Sequence, residues 1–232
     1  HLPQTTTARR GHGKDQVEYN QLERTTNSYL QPFSHSKEKL LEALQTRKLG
    51  ETGLDVSVLG YGAMELRGPR SPIPKGRPVD PAQAEKVLNS VLDSGINLID
   101  TSIDYGESEE LIGKYVSHRR DEYLLASKCG CNADTTSVEE GNAPRHIYTR
   151  ENLIKGVELS LRRMNTDHLD LLQFHGSPPV ELRDQAVQTL LDLKSDGKTR
   201  FIGVSDVLPT VTDFVEMGVF DAFQFPYSAL DR

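Results

Sequence analysis

Cysteine is scarce, with only Cys129 and Cys131 in 232 residues. That excludes a disulfide scaffold, and a reducing compartment, the cytoplasm, is the expectation. No run of about 18 apolar residues occurs, so no helical membrane span is predicted. The N-terminal 46 residues hold no apolar stretch of about 7–15 residues of the kind a secretory leader needs. Clustered positive charge is lacking as well. The chain carries 27 Lys and Arg against 34 Asp and Glu, a net charge of −7. Residues 1–48 contribute 8 basic and 5 acidic side chains, which leaves 19 basic and 29 acidic on the remainder. An acidic body argues against a nucleic-acid groove, because phosphate binding needs clustered Lys and Arg. No membrane and no nucleic acid are therefore expected as partners. The hydrophobic fraction, 36%, is a little low for a globular chain, so a core requires that the apolar positions be concentrated.

They are concentrated after residue 46. Residues 1–46, rich in Thr, Gln, Arg, His and Lys, read as a disordered extension with one short, marginal helix over Lys37–Leu44. From Lys48 the segment KLGETGLDVSVLGYG predicts a hairpin turning at Thr52-Gly53 and running into a buried strand. Apolar runs then alternate with amphipathic stretches. INLID, YLLASK, DLLQFH, FIGVS and FDAFQF read as strands covered on both faces, and Glu151–Met164 shows helical spacing through Leu153, Ile154, Val157 and Leu161. Pro81, Thr149 and Pro209 mark helix starts, and Gly95 and Gly197 mark helix ends. Six strands follow, beginning near Val58, Ile96, Tyr123, Leu169, Phe201 and Ala222.

Such βα repetition fits an open doubly wound sheet or a closed (β/α)8 barrel. The open sheet wants G-x-G-x-x-G after its first strand; Gly60-Tyr61-Gly62 lacks the third glycine and runs into a loop with Pro69, Pro72, Pro74 and Pro78. The barrel is favoured. Residues 47–232 fall short of the roughly 250 typical of eight units. The expected fold is thus α/β, an incomplete TIM-type barrel of six βα units behind a short N-terminal hairpin.

Polar residues sit where these runs end. Asp100 closes INLID, Tyr105 follows five residues later, Lys128 closes YLLASK, His175 closes DLLQFH, Ser205 closes FIGVS, and Gln224 lies in FDAFQF. Each alone has an ordinary reading: a cap for Asp100, a rim residue for Tyr105, a snorkelling amine for Lys128, a hydrogen-bonded loop imidazole for His175. Together on a barrel they converge at the C-terminal mouth. A phenol, an ammonium, a carboxylate and an imidazole can perform acid chemistry on a carbonyl: the ammonium favours ionisation of the phenol and the carboxylate balances the lysine.

DTSIDYGESEELIGKYV, YLLASKCG, DLLQFHG, IGVSD and FQFPYSALDR, with the opening RKLGETGLDVSVLGYGAMELRG, resemble the aldo-keto reductase family, especially its bacterial-type oxidoreductases. The resemblance spans residues 47–232. It implies reduction of a small aldehyde or ketone by hydride from NADP(H), with Tyr105 as general acid, Lys128 as the neighbour that lowers the barrier to its ionisation, Asp100 as the partner of Lys128, and His175 orienting the carbonyl. It also implies cofactor contacts from Met64, Asp100, Ser205, Asp206 and Gln224. Asp206 departs from the family's Asn, exchanging an amide that donates and accepts for a carboxylate that only accepts.

No metal site is expected from Cys129-Gly130-Cys131. Two thiols without a second pair of ligands nearby are too few for structural zinc, and a disulfide across one residue would be strained. The polar segment Cys131–Tyr148 reads as a loop over the mouth that sets substrate choice. The family places pyrophosphate-binding elements after a seventh strand, so truncation is expected. The alternative reading is a non-catalytic barrel remnant with a regulatory or partner-binding role.

Overall fold

Apolar runs bounded by capped helices fold here as a parallel sheet in which each strand lies beside the next in sequence. The computed structural model describes residues 44–68, 78–134 and 146–228. The expected extension before residue 44, nearly all of the expected Lys37–Leu44 helix, Pro69, Pro72 and Pro74, and most of the Cys131–Tyr148 segment lie outside the described residues.

Strand β1 (Thr46–Lys48) pairs antiparallel with β2 (Asp55–Ser57), and the chain turns between them through Gly50–Thr52 and Gly53, whose φ of 73° suits a residue without Cβ. The hairpin is where the sequence places it, but the strand after it is not. Residues 55–57 belong to the hairpin, Val58 and Leu59 are exposed, and β3 is only Tyr61–Gly62. Asn97 explains the break. Its side chain accepts from the Ser57 N–H at 2.8 Å and donates to the Asp55 carbonyl at 2.8 Å, while Ser57 Oγ accepts from the Asn97 N–H at 3.0 Å. With the hairpin tied there, the chain bends before entering the main sheet.

That sheet runs β3, β4 (Leu98–Asp100), β5 (Leu124–Cys129), β6 (Leu169–His175), β7 (Thr199–Ser205) and β8 (Ala222–Gln224), in this spatial order and all parallel. The crossovers carry α1 (Pro81–Asp93), α2 (Ser108–Val116), α3 (Arg150–Met164), α4 (Val180–Ser195) and α5 (Leu208–Glu216). Order equal to sequence belongs to a barrel, whereas a doubly wound sheet reverses direction midway. The architecture is an incomplete (β/α) barrel with a small antiparallel hairpin. Local chemistry sets the helix starts: Asp80 Oδ1 accepts from the Ala82 N–H at 3.0 Å ahead of Pro81, and Thr149 Oγ1 accepts from the Asn152 N–H at 3.4 Å.

Alternate residues of the strands divide two environments. Ile99, Leu125, Leu172, Phe174, Ile202 and Val204 point toward the helices and are at most 1% exposed, in one core with Leu88, Ile112, Leu153, Leu190 and Phe214. Each such side chain contributes about 1.5–3 kcal/mol by burial. On the other parity the apolar Leu98, Leu124 and Leu171 give way toward the strand ends to Asp100, Gln173 and Gln224, and together these line a cavity of about 550 Å³. At the opposite end of the sheet, Asp170 is 2% exposed and accepts from Arg120 (2.7 Å), Arg200 (2.6 Å) and the Leu125 N–H (2.8 Å). It fastens β5, β6 and β7 away from the mouth, where polar clusters read as stability features.

Candidate active site

The register fixes which side chains share the mouth. Gly62, Asp100, Ala126 and Leu171 lie on one level; Lys128, Gln173, Gly203 and Ala222 on the next; His175, Ser205 and Gln224 on a third. The levels differ by two residues, so every side chain keeps to the inner face while the polar set climbs around the curl. That climb is the stagger a curled, barrel-like sheet imposes.

Lys128 is 3% exposed, and its Nζ donates to Asp100 Oδ2 at 2.6 Å and to the Thr101 carbonyl at 3.0 Å. The same ammonium stands 5.2 Å from the centroid of the Tyr105 ring. Asp100 is held from three strands, since Gln173 Nε2 reaches its Oδ1 and Gln224 Nε2 its Oδ2, both at 3.3 Å. Tyr105 comes from the turn after β4, where its N–H donates to the Ser102 carbonyl at 3.0 Å and its carbonyl accepts from the Ser108 N–H at 2.9 Å. The next residue must be glycine: Gly106 has φ 48°, and a Cβ there would lie 2.0 Å from the Arg67 carbonyl oxygen. The Tyr105 and His175 rings meet edge to face, centroids 5.8 Å apart at 84°. Thus Asp100, Tyr105, Lys128 and His175, scattered over 76 residues, form one group.

His175 is fixed from two sides. Its Nδ1 lies 3.2 Å from Ser102 Oγ, 3.3 Å from Asp104 Oδ1 and 3.1 Å from Cys131 Sγ, and its carbonyl accepts from Tyr148 Oη at 2.8 Å. Burial, assisted by Cys129, Cys131 and Asp206, pushes the Tyr148 phenol above the ordinary tyrosine range, so it stays a donor at neutral pH. Burial likewise keeps the Cys129 thiol protonated. Beneath β5, Glu109 accepts from Ser127 Oγ at 3.0 Å and Arg163 at 3.3 Å; burial raises its carboxyl above the usual range against the opposing pull of Ser160, Arg163 and Ser127.

Of the residues expected to touch a cofactor, Ser205 donates to Gln224 Oε1 at 2.7 Å, which joins them to Asp100 through the Gln224 amide. Asp206 turns elsewhere: its carboxylate accepts from Ser177 Oγ at 2.6 Å and from the Val207 N–H at 2.7 Å. Met64 is exposed on the 3₁₀ turn Ala63–Arg67 after β3. Gln173, Ser102, Asp104 and Tyr148 were not singled out from sequence, and Cys131 was read only as half of the Cys129-Gly130-Cys131 pair, from which no metal site was expected. Gln173 had a signal, being the residue of the same parity two before His175.

A hydroxyl beside an exposed primary amide offers a donor and an acceptor at the strand ends, the pair a nicotinamide carboxamide requires. The donor set fits such a cofactor at Ser205 and Gln224.

In a parallel barrel, the C-terminal ends of the strands, where these polar side chains gather, are where barrel enzymes carry their sites. The family is shown by comparison: residues 58–231 match the model of the aldo/keto reductase family, and the chain belongs to that oxidoreductase family. It is 30% identical over 192 residues to an oxidoreductase of Bacillus subtilis, YqkF, covering 82% of this chain and 58% of the relative. It is 29% identical over 198 residues to the NADH-specific methylglyoxal reductase of Escherichia coli, covering 79% and 59%. The aldo-keto reductase AKR11C1 from Bacillus halodurans, in its holo form, superposes with a TM-score of 0.67 at 28% identity, covering 80% of this chain and 58% of that one. The chain therefore spans a little over half the length of the relatives it matches. Aldo-keto reductases use nicotinamide cofactors. Among the described residues no helix is long and apolar enough to cross a membrane.

Proposed function

We propose that the protein reduces a small aldehyde or ketone to an alcohol with NADP(H), Tyr105 acting as the general acid. The observation that carries this reading is the Lys128 ammonium, buried between the Asp100 carboxylate and the Tyr105 ring. The nicotinamide, when bound, supplies the hydride that attacks the carbonyl carbon. Ser205 and Gln224 would hold its carboxamide, with Asp100 behind Gln224 and Met64 at the rim; Asp206 contributes through Ser177 and the loop leading to α5. Tyr105 Oη delivers a proton to the carbonyl oxygen as charge develops there. Lys128 stabilises the phenolate that remains, and Asp100 offsets the charge of Lys128 so that the ammonium can stay in a nearly dry site. His175, fixed at Nδ1 and at its carbonyl, presents the imidazole edge that orients the substrate oxygen.

NADP(H) is the preference carried by the family resemblance, and NADH is the comparison, since one relative is NADH-specific. Two buried thiols are consistent with a reducing, cytoplasmic setting, and the excess of acidic side chains argues against a nucleic-acid partner. The test is Tyr105→Phe assayed with NADPH and a panel of aldehydes and ketones. The variant should lose about 10²–10⁴ in turnover, roughly 3–5 kcal/mol of transition-state stabilisation, while nicotinamide fluorescence still reports binding. Unchanged turnover would overturn the acid role.

A further inference from the structure

Cys131, His146 and His175 each offer one ligand atom, and these atoms all lie within 4.8 Å of one another. They come from three parts of the chain: just after β5, just ahead of α3, and the tip of β6. The arrangement is built from behind. Cys131 and His146 face each other as an antiparallel bridge, and the Ile147 N–H donates to the Gly130 carbonyl at 2.7 Å. Asn152 Nδ2 spans both strands, donating to the Cys131 carbonyl at 2.9 Å and the Ile147 carbonyl at 2.7 Å. Tyr148 fixes the His175 carbonyl, and Gly130 lets it approach, since a Cβ there would sit 2.5 Å from Tyr148 Cε1. The imidazole rings of His146 and His175 are 5.7 Å apart between centroids.

We propose that these three residues form a binding site for a borderline-soft divalent cation, with zinc as the expected occupant. One thiolate and two imidazoles are the donors such ions prefer over Mg²⁺ or Ca²⁺, which select oxygen. With bonds of about 2.3 Å to sulfur and 2.0 Å to nitrogen, tetrahedral ligands stand about 3.3–3.6 Å apart. Cys131 Sγ and His175 Nδ1, at 3.1 Å, need only separate slightly to admit the ion between them. On binding, the S–H bond of Cys131 breaks, its proton passes to water, and the sulfur lone pair goes to the metal. Asp104 and Ser102, which already meet His175 Nδ1, supply a negative charge and a hydroxyl next to the ion. Coordination through Nδ1 leaves the ring proton on Nε2, so the ion selects the tautomer in which Nε2 donates. That consequence for a carbonyl substrate rests on the reductase reading; the binding site does not.

The experiment is titration of the purified chain with Co²⁺ as a spectroscopic stand-in, followed by displacement with Zn²⁺. The expected result is saturation at one equivalent, with a thiolate-to-cobalt charge-transfer band and the strong visible bands of tetrahedral cobalt. Cys131→Ser should abolish the charge-transfer band, His146→Ala should weaken binding about tenfold or more, and Cys129→Ser should keep the band. A spectrum of hydrated cobalt alone, a band that follows Cys129, or unchanged affinity in both ligand variants would overturn the site. The readout is independent of turnover. An inactive chain that shows the band refutes the reductase reading alone, and an active chain without it refutes the metal site alone.

Discussion

Separating the Lys128–Asp100 pair tests the structural basis of the proposed site without assaying any reaction. The contact is 2.6 Å, with the lysine side chain 2% and the aspartate side chain 18% exposed. At an effective dielectric of about 20 the gross attraction is about 6 kcal/mol, most of which offsets the cost of removing both charges from water. Removing one partner forfeits the attraction and leaves that cost with the other. Asp100→Asn leaves the buried ammonium with neutral acceptors alone, the Thr101 carbonyl and the introduced amide oxygen, so about 3–4 kcal/mol should be lost. Lys128→Met leaves a carboxylate that is partly exposed and still receives two glutamine amides, which reduces the expected loss to about 2–3 kcal/mol. The double variant should cost much less than the sum, with a coupling energy of about 2–3 kcal/mol read from urea unfolding of the four proteins. Additivity within about 0.5 kcal/mol would mean that the pair behaves like a surface ion pair and that the buried arrangement is wrong.

Three further outcomes follow from other parts of the molecule. The Asp170 carboxyl lies below its ordinary range because the Leu125 N–H and the Arg120 and Arg200 guanidiniums outweigh the effect of burial. Its contribution is therefore full above the unfolded-state value of about 4 and is lost as pH falls through the lower folded value, so the stability gap to Asp170→Asn, about 3 kcal/mol at pH 7, should shrink in acid denaturation below about pH 4; a pH-independent gap would contradict this. Gly113→Ala would place a Cβ 2.1 Å from the Arg163 carbonyl oxygen and 2.8 Å from Met164 Cα, where only backbone can yield, and should lower the urea midpoint by the equivalent of about 2–3 kcal/mol. Tyr148→Phe removes the 2.8 Å bond to the His175 carbonyl and, on the reductase reading, should lower turnover severalfold with a loss of about 1 kcal/mol in stability; equal turnover would show that this clamp does not position His175.

The fold was legible where local chemistry agreed with the tertiary arrangement. Pro81 at the start of α1, Thr149 before α3 and the apolar runs of β4 to β8 announced themselves through helix-start residues and strand length, whereas the Asp80 cap emerges only in the structure. Asp100, Lys128, His175 and Ser205 stood out because each ends an apolar run, and the parallel register then brings those ends to one mouth. The shortness of β3 was not legible, because the residue that ties down the hairpin, Asn97, lies forty positions from Ser57. Nor was the company of Cys131: its two histidines lie 15 and 44 positions further along the chain, the second beyond α3, and no short spacing records that approach. Gln173 was hidden for a different reason. One amide inside DLLQFH looks like tolerance of polarity in a strand until the inner face is seen to carry the site.

The clamp at Asp170 and the group at the mouth occupy opposite ends of the same strands, with the helix-facing side chains between them. Robustness and innovation are thereby assigned to different addresses. Loops at the mouth can be exchanged for new ligand preferences while the far end continues to hold the strands in register, so a library diversified after β5 and β6 should yield folded proteins more often than one diversified around Arg120, Asp170 and Arg200.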